Sequence, residues 1–508
     1  MNLLDLFNIS FARYPDRTAI QFGEQRVTYA ELNSRANRLA HSFQSLGIGK
    51  EDRVALYLPN SLSLIDAYLA NLKLGAITVP VNLLYRETEI THIFNDCTPR
   101  LLVTNRDQLP IIGPFRDQLD SLGHVVLAED MPTLAEDEPD RPIPSRVTGD
   151  DPAILLYTSG TTGRSKGAIL SHGNCVANIV GVTSAWAWTA DDRFLLTLPL
   201  FHAHGLAVGL HGALTVGCTT VLHERFHADA ALSAILGQDI TLFFGVPAMY
   251  VRLLEEAGNR FGAIERMRVR APAMRLFVSG SAPLRPDTFE SFRNAFGHEI
   301  LERYGMTETL MNISNLYAGP RLPGTVGVPL PGVSARICDA SGNPLPDGEA
   351  GEVFLRGSNV FQGYWNDAEK TAKAFFSDER GRRWFRTGDI GVRDPIAGYF
   401  RLEGRLHELI ISGGFNIYPR EVEEILASHP AVREAAVVGT PDPVRGELPK
   451  AFVVLAEEQA VTTEELQSFC RERLASFKVP KVIAFVPVLP HNALGKVQKH
   501  RLEYVSPQ

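Results

Sequence analysis

The sequence predicts a multidomain α/β protein: a large N-terminal α/β domain with a β-rich subdomain, followed by a small C-terminal α+β domain. Three observations carry this reading. Helix-period and strand-like segments alternate along most of the 508 residues, the signature of α/β layers. The texture then changes to short strands around Gly, Asn and Pro turns in "ARICDASGNPLPDGEAGEVFLRG". After "GRLHELIISGG" comes a compact stretch of two helices and two strands, which places a boundary at Leu406 and His407 and gives domains 1–405 and 406–508.

The elements follow from their patterns. "SLSLIDAYLANLKLG" carries apolar residues at helical spacing and ends at Gly75, and "AITVPVN" follows as a β-branched run. "TLFFGVP" and "MRLFVSG" are apolar runs that stop at Gly or Pro, as buried strands do. In the C-terminal domain "PREVEEILASHP" and "TTEELQSFCRERLASF" are helices, and "EAAVVG" and "AFVVLA" are strands. Thr462 and Glu465 have capping-box spacing ahead of the last helix.

A net charge of -8 argues against nucleic acid as the main partner. The five cysteines, Cys97, Cys175, Cys218, Cys338 and Cys470, are scattered without a CxxC pair, so free thiols are expected rather than disulfides or zinc. The N-terminus carries Asp5 in its apolar stretch and lacks a basic segment, and no stretch reads as a membrane span. A cytoplasmic protein is the expectation.

"YTSGTTGRSKGA", Tyr157 to Ala168, holds the first chemistry. Gly160, Gly163 and Gly167 let backbone N–H groups turn toward an anion, Thr158, Ser159, Thr161 and Thr162 add hydroxyl donors, and Lys166 adds a mobile charge. The spacing fails the GxxxxGK[ST] rule of P-loop nucleotidases, so the loop serves a different phosphate chemistry.

This stretch resembles the signature of adenylate-forming enzymes: acyl-CoA synthetases, peptide-synthetase adenylation domains and luciferases. "LPLFHAHG", "ERYGMTET", "FRTGD", "GRLHELIISGGFNIYPREVEE" and "LPHNALGKVQKHRL" match in the same order, so the resemblance spans nearly the whole chain. It implies an acyl-CoA synthetase-like fold whose C-terminal domain rotates between two steps. A carboxylate attacks the α-phosphate of ATP to give acyl-adenylate and pyrophosphate. A thiol, usually that of coenzyme A, then takes the acyl group and releases AMP.

The resemblance also implies roles. Tyr304 packs on adenine, Thr307 touches the α-phosphate and Glu308 holds Mg²⁺, for which a hard carboxylate oxygen is suited. Ser281 in "VSGSAPL" joins the nucleotide set, Asp389 accepts hydrogen bonds from the ribose hydroxyls, and Arg405 faces the nucleotide. Lys496 reaches the reacting carboxylate during adenylation; Lys499, His500 and Arg501 lie nearby, but only Lys496 holds the Gly-Lys position. Gly414, with Gly413, belongs to the segment that lines the pantetheine tunnel of relatives. The hinge position is His407 where most relatives have Lys or Asp, and a histidine there would make domain rotation sensitive to pH between 6 and 8.

By motif position the acyl pocket is lined by His202, Ala203, Phe244, Ser279, Arg303, Met306 and Met311, with His202 at the rim and counted among the catalytic candidates. Arg303 is the informative residue: several relatives with apolar acids carry Gly or an aliphatic residue there. It would pair with a second carboxylate, or else turn to solvent or be held by Glu302 or Glu299. Arg252 and Arg275 are further carboxylate candidates. The run "LERYGMTETLMN" is similar to the malonyl-CoA synthetase branch, so malonate or a small relative is the expected acid, with ATP, Mg²⁺ and coenzyme A. A medium- or long-chain fatty acyl-CoA synthetase, or an adenylation enzyme loading a carrier protein in trans, is the alternative.

Overall fold

Two runs of hydrophobic strands decide the architecture of the N-terminal part. The computed structural model describes all residues except 145, 159–164, 263–270, 413–414, 443–444, 458, 493–494 and 505–508. Contacts divide the chain into two compact units. The first comprises Met1–Leu322, Val328–Ser334 and Leu355–Phe385, and the second Pro323–Gly327, Ala335–Phe354 and Arg386–Gln508. The expected boundary at 405/406 therefore falls inside the second unit. Strand Phe400–Arg405 pairs with Arg383–Arg393, Asp389 opposite Arg405, and residues 386–405 belong to the second unit. A change in sequence texture marks where strands shorten, whereas contacts mark what packs together.

In the first unit a nine-stranded sheet runs through Ile300–Met306, Leu276–Ser279, Leu242–Gly245, Arg193–Leu196, Thr219–Leu222 and Thr18–Phe22, all mutually parallel. Leu310–Ser314 and Gln25–Thr28 pair antiparallel beside its outer members. Every residue of Leu242–Gly245 and Leu276–Ser279 is buried, as parallel strands covered on both faces require. Helices Ala228–Gly237, Pro247–Phe261 and Pro286–Phe296 cover them, Leu232, Leu253, Phe289 and Phe292 packing in one core with Phe277 of the sheet. A seven-stranded sheet holds Ile77–Pro80, Arg53–Tyr57, Leu101–Thr104 and the hairpin Pro152–Thr158/Lys166–Ser171.

The second unit carries an antiparallel pair, Val432–Asp442 and Gly446–Leu455, with Val482–Phe485 parallel to the latter. Alternation along the strands gives two faces. Val437 and Val453 pack with Val422 and Leu426 of helix Pro419–Ala427 and with Leu466 and Cys470 of helix Thr463–Arg471. Ala436, Phe452 and Val454 pack on the other side with Leu489 and Leu502. The Thr462–Glu465 capping box forms as expected. The five cysteines are free and buried. No helix of the described residues is long and apolar enough to cross a membrane.

Candidate active site

The residues that flank the expected phosphate loop form the hairpin Pro152–Thr158/Lys166–Ser171. Thr158 and Lys166 face each other as its closing pair. Ser159, Gly160, Thr161, Thr162 and Gly163 lie outside the described residues, as does Gly414. The stem is braced by side chains that motif reading overlooks. The Tyr157 hydroxyl donates to the Asp96 carboxylate, and His92 Nε2 lies 2.8 Å from the Ser165 carbonyl. The Trp365 amide donates to the Gly167 carbonyl at 2.7 Å. Lys166 Nζ stands 5.5 Å from the centre of the Tyr364 ring, and the Tyr364 hydroxyl donates to Glu308 Oε1 at 3.0 Å. Tyr364 thus joins two predicted site residues that are far apart in sequence. Partial burial, then Lys370, lowers the Lys166 pKa against the opposing pull of Asp367 and Glu308.

Strand Ile300–Met306 delivers the next group. It leaves the parallel part of the sheet beside Ser279, which is where ligands of open α/β sheets gather. It then turns through residues 307–309 into Leu310–Ser314. Gly305 is required for this: a Cβ there would stand 2.1 Å from the Leu310 carbonyl oxygen. The turn is fixed from behind by Asn312, whose amide donates to Thr309 Oγ1 at 2.7 Å, and by Asn359, which donates to the Thr309 carbonyl at 2.7 Å. Tyr304 and Glu308 are buried, at 6% and 8% exposure, and Thr307 is half-buried. The Glu308 carboxylate is a hard oxygen donor that fits Mg²⁺, which takes one or two carboxylates and completes its shell with water and phosphate.

Arg303, expected to line the acyl pocket, is a buried cation with unsatisfied nitrogens. Arg303 is 2% exposed, and its Nε and Nη2 meet no hydrogen-bond acceptor. Burial pulls its pKa down to about 9, with Tyr250 and Glu302 opposing. Arg303 does not turn to solvent, and Glu302, whose carboxylate also accepts the Leu284 amide at 2.9 Å, is one of the groups that act on it electrostatically. The guanidinium lies against Gly280, where a Cβ would come within 2.4 Å of Arg303 Cζ.

Around it stand groups with unused polar atoms. The Ser279 hydroxyl is fully buried and unpartnered, as are His202 Nε2 and His204 Nε2. Ser281 Oγ is 3.5 Å from His204 Nδ1, and Phe244 stacks on the His204 ring at 6.3 Å. Burial drives the His202 pKa down to about 4. Burial, then Arg303 and His202, keeps His204 neutral as well. The pocket's positive charge is therefore that of Arg303. His204 belongs to the site although motif position named only His202 and Ala203; the second His of "FHAHG" was the available signal. Met306 is half-buried and Met311 is buried on the paired strand. Arg275 is taken by Asp192, at 2.6 Å through Nε, and Arg252 is exposed, so neither serves the acid.

In the second unit Arg405 Nε pairs with Asp389 Oδ1 at 2.7 Å, and Asp389 is 6% exposed. The Lys496 side chain stays open to water at its surface, yet crowding and then Arg405 lower its pKa, while Asp389 and Glu408 pull the other way. Desolvation comes first among the causes that lower the His407 pKa as well, against Glu408. The expected window of pH 6 to 8 for hinge protonation therefore moves to lower pH. Asp389, Arg405, His407 and Lys496 come together within this unit.

Comparison with known proteins agrees with this arrangement. Residues 7–365 match the family "AMP-binding enzyme" and residues 421–496 the "AMP-binding enzyme C-terminal domain". A feruloyl-CoA synthase of Amycolatopsis sp is 35% identical over 96% of this chain and 95% of its own. The mitochondrial malonate–CoA ligase ACSF3 of Homo sapiens is 34% identical over 96% of this chain and 90% of its own. The crystal structure of ATP-bound MatB from Rhodopseudomonas palustris superposes with a TM-score of 0.91 at 36% identity, covering 99% of both chains. The sequence motifs, the two-unit fold and these matches give one conclusion: the chain belongs to the AMP-binding enzymes and is an AMP-forming acid–CoA ligase of the adenylate-forming family.

Proposed function

We propose that the acid is malonate, and the observation that carries this is Arg303, a buried guanidinium whose Nε and Nη2 lack partners. A cation withdrawn from water without a counter-ion is costly. A substrate carrying a second carboxylate supplies what the folded chain leaves out, in the planar, two-bond manner that suits a guanidinium. Ser279, His202 and His204 add buried polar atoms without partners. Fatty acids would leave Arg303 buried beside methylene groups, which disfavours that alternative.

The reaction brings a carboxylate to an anionic triphosphate, so charge neutralisation dominates. In this reading the loop 158–166 cradles the phosphates and Lys166 steadies the departing pyrophosphate. Thr307 donates to the α-phosphate, Tyr304 packs on adenine and Asp389 accepts from the ribose, with Arg405 and Ser281 in the same nucleotide set. Glu308 would hold Mg²⁺, which supplies charge neutralisation at the phosphates. Lys496 stands at the attacking carboxylate and Arg303 at the distal one. Rotation about His407 then presents the segment containing Gly414 to the pantetheine arm of coenzyme A.

A panel of acids in an ATP- and CoA-dependent AMP-release assay tests the reading. Malonate is expected to exceed acetate, octanoate and ferulate in kcat/KM. Sulfoacetate ahead of malonate would keep the second-anion reading and replace the acid; ferulate or octanoate ahead would overturn both.

A further inference from the structure

Lys496 is carried by a strap that the rest of the second unit holds at two kinds of anchor. One is apolar: Val497 and Leu502 pack against the strand face formed by Ala436, Phe452 and Val454. The loop before it is closed by Asn492, whose amide donates to the Lys496 carbonyl at 2.9 Å and whose Oδ1 accepts the Lys496 amide at 2.9 Å. The other anchor is ionic. Lys499, three residues beyond Lys496, places its Nζ 2.9 Å from Glu408 Oε2 and 2.8 Å from Glu423 Oε1. Its side chain is 18% exposed, and those of Glu408 and Glu423 are 25% and 20% exposed.

The two carboxylates come from different elements. Glu408 directly follows His407. Glu423 sits on helix Pro419–Ala427, and its Oε1 also accepts the Val437 amide at 2.7 Å, on the outer edge of strand Val432–Asp442. The helix and the strap pack on opposite faces of that strand. Lys499 therefore ties together the strap, the helix and the hinge segment. Glu408 faces Lys496 as well as Lys499. Without Lys499 its carboxylate is left to draw Lys496 toward itself and away from the substrate.

We propose that Lys499 is a positioning residue for adenylation: it occupies Glu408 and Glu423, so that Lys496 projects from a fixed strap and is not captured by Glu408. The proposal rests on Lys496 being the group that meets the reacting carboxylate. It assigns Lys499 a function separate from its neighbours His500 and Arg501.

The test is acid-dependent exchange of pyrophosphate into ATP by the full-length enzyme, using the acid preferred in the panel above, with thermal unfolding of each variant alongside. Lys499→Met is expected to lower kcat by roughly a hundredfold while KM for ATP stays within about threefold, since misplacement of a reacting group costs rate rather than nucleotide binding. Lys499→Arg, which can still meet two carboxylates, restores kcat to within about threefold. Glu423→Gln lowers kcat by about tenfold, and the double variant Lys499→Met/Glu423→Gln is no slower than Lys499→Met alone, as expected for partners in one network.

A folded Lys499→Met with kcat within about twofold of the parent overturns the proposal, as does a double variant whose losses multiply. If Lys499→Met fails to fold, Glu423→Gln decides, and an unchanged kcat rejects the idea. Lys496→Ala separates the two assignments. Exchange retained in that variant removes the role of Lys496 and the proposal with it, whereas exchange lost there but intact in Lys499→Met removes only the proposal.

Discussion

Arg303 in the first unit and Lys499 in the second are both largely withdrawn from water, and they differ in what meets them. Lys499 has a carboxylate on each side at 2.9 and 2.8 Å, and those neighbours raise its pKa against the desolvation that would lower it. Arg303 has two nitrogens without acceptors, and burial lowers its pKa. The folded chain has satisfied Lys499 and left two nitrogens of Arg303 unsatisfied. A filled set of partners marks a group that holds the architecture; an open set marks a group that waits for a ligand.

The largest effect expected from this contrast is on substrate choice. Arg303→Ala should lower kcat/KM for malonate by two to four decades, corresponding to about 3–5 kcal/mol for removing one partner of a buried ion pair. Acetate should change little. Because Arg303 precedes Tyr304, KM for ATP is measured in parallel, and a rise there equal to the loss with malonate would assign the damage to the adenine site instead.

Next comes acid. His172 and His211 of the first unit are 1% and 0% exposed, and burial lowers their pKa values to about 4 and about 3. Groups with pKa values depressed in the folded state bind protons more readily when unfolded, so stability is full above about pH 6.5 and is lost as pH falls toward those values. His172 alone contributes a loss of about 3 kcal/mol by pH 4. Urea midpoints recorded from pH 7.5 to 4.5 should fall steadily; a flat profile would contradict the neutral, buried assignment. The neutral state matters to the comparison because His202 and His204, kept uncharged in the same way, leave Arg303 as the charge of its pocket.

Gly280→Ala sharpens the point without removing the guanidinium. The added Cβ would come within 2.4 Å of Arg303 Cζ, and the side chain must shift. Overpacking of this kind costs about 1–3 kcal/mol, and the malonate preference over acetate should drop by about tenfold, measured as a ratio of kcat/KM values.

The smallest expected effect is on stability, and it has opposite signs in the two regions. Arg303→Met relieves a buried unpartnered charge and should stabilise the protein by about 0.5–2 kcal/mol. Lys499→Met strands two carboxylates and should destabilise it by about 1–2 kcal/mol. Chemical denaturation of the two variants under one buffer compares them directly, and equal signs would erase the distinction.

Particular residues show how much could be read in advance. Helix Leu62–Leu74 and strands Leu242–Gly245 and Leu276–Ser279 appear where periodicity and apolar runs put them, because burial of one face or both imposes a pattern on adjacent residues. Tyr304, Glu308, Asp389 and Arg405 could be named from short motifs whose chemistry is local. Tyr364, Asn359 and His92 could not. Each acts on the site from an element distant in sequence, through one hydrogen bond or ring contact that leaves no spacing to detect. The points where the chain crosses into the second unit, at Pro323, Ala335 and Arg386, were likewise hidden, since contacts between distant segments decide them.

The sequence by itself determined the α/β layering and the order of the motifs, because alternation, capping and phosphate-binding loops are written in neighbouring residues, and the resemblance of those motifs to adenylate-forming enzymes implied the class of reaction. It also singled out Arg303 as the candidate on which the proposed choice of acid rests. Only the tertiary structure decided that two nitrogens of the buried Arg303 meet no acceptor while Arg275 is already paired with Asp192, and that Lys499 is held between Glu408 and Glu423. The physical reason is that the state of a charge depends on what surrounds it in three dimensions, and those surroundings are assembled from parts of the chain that no local pattern connects.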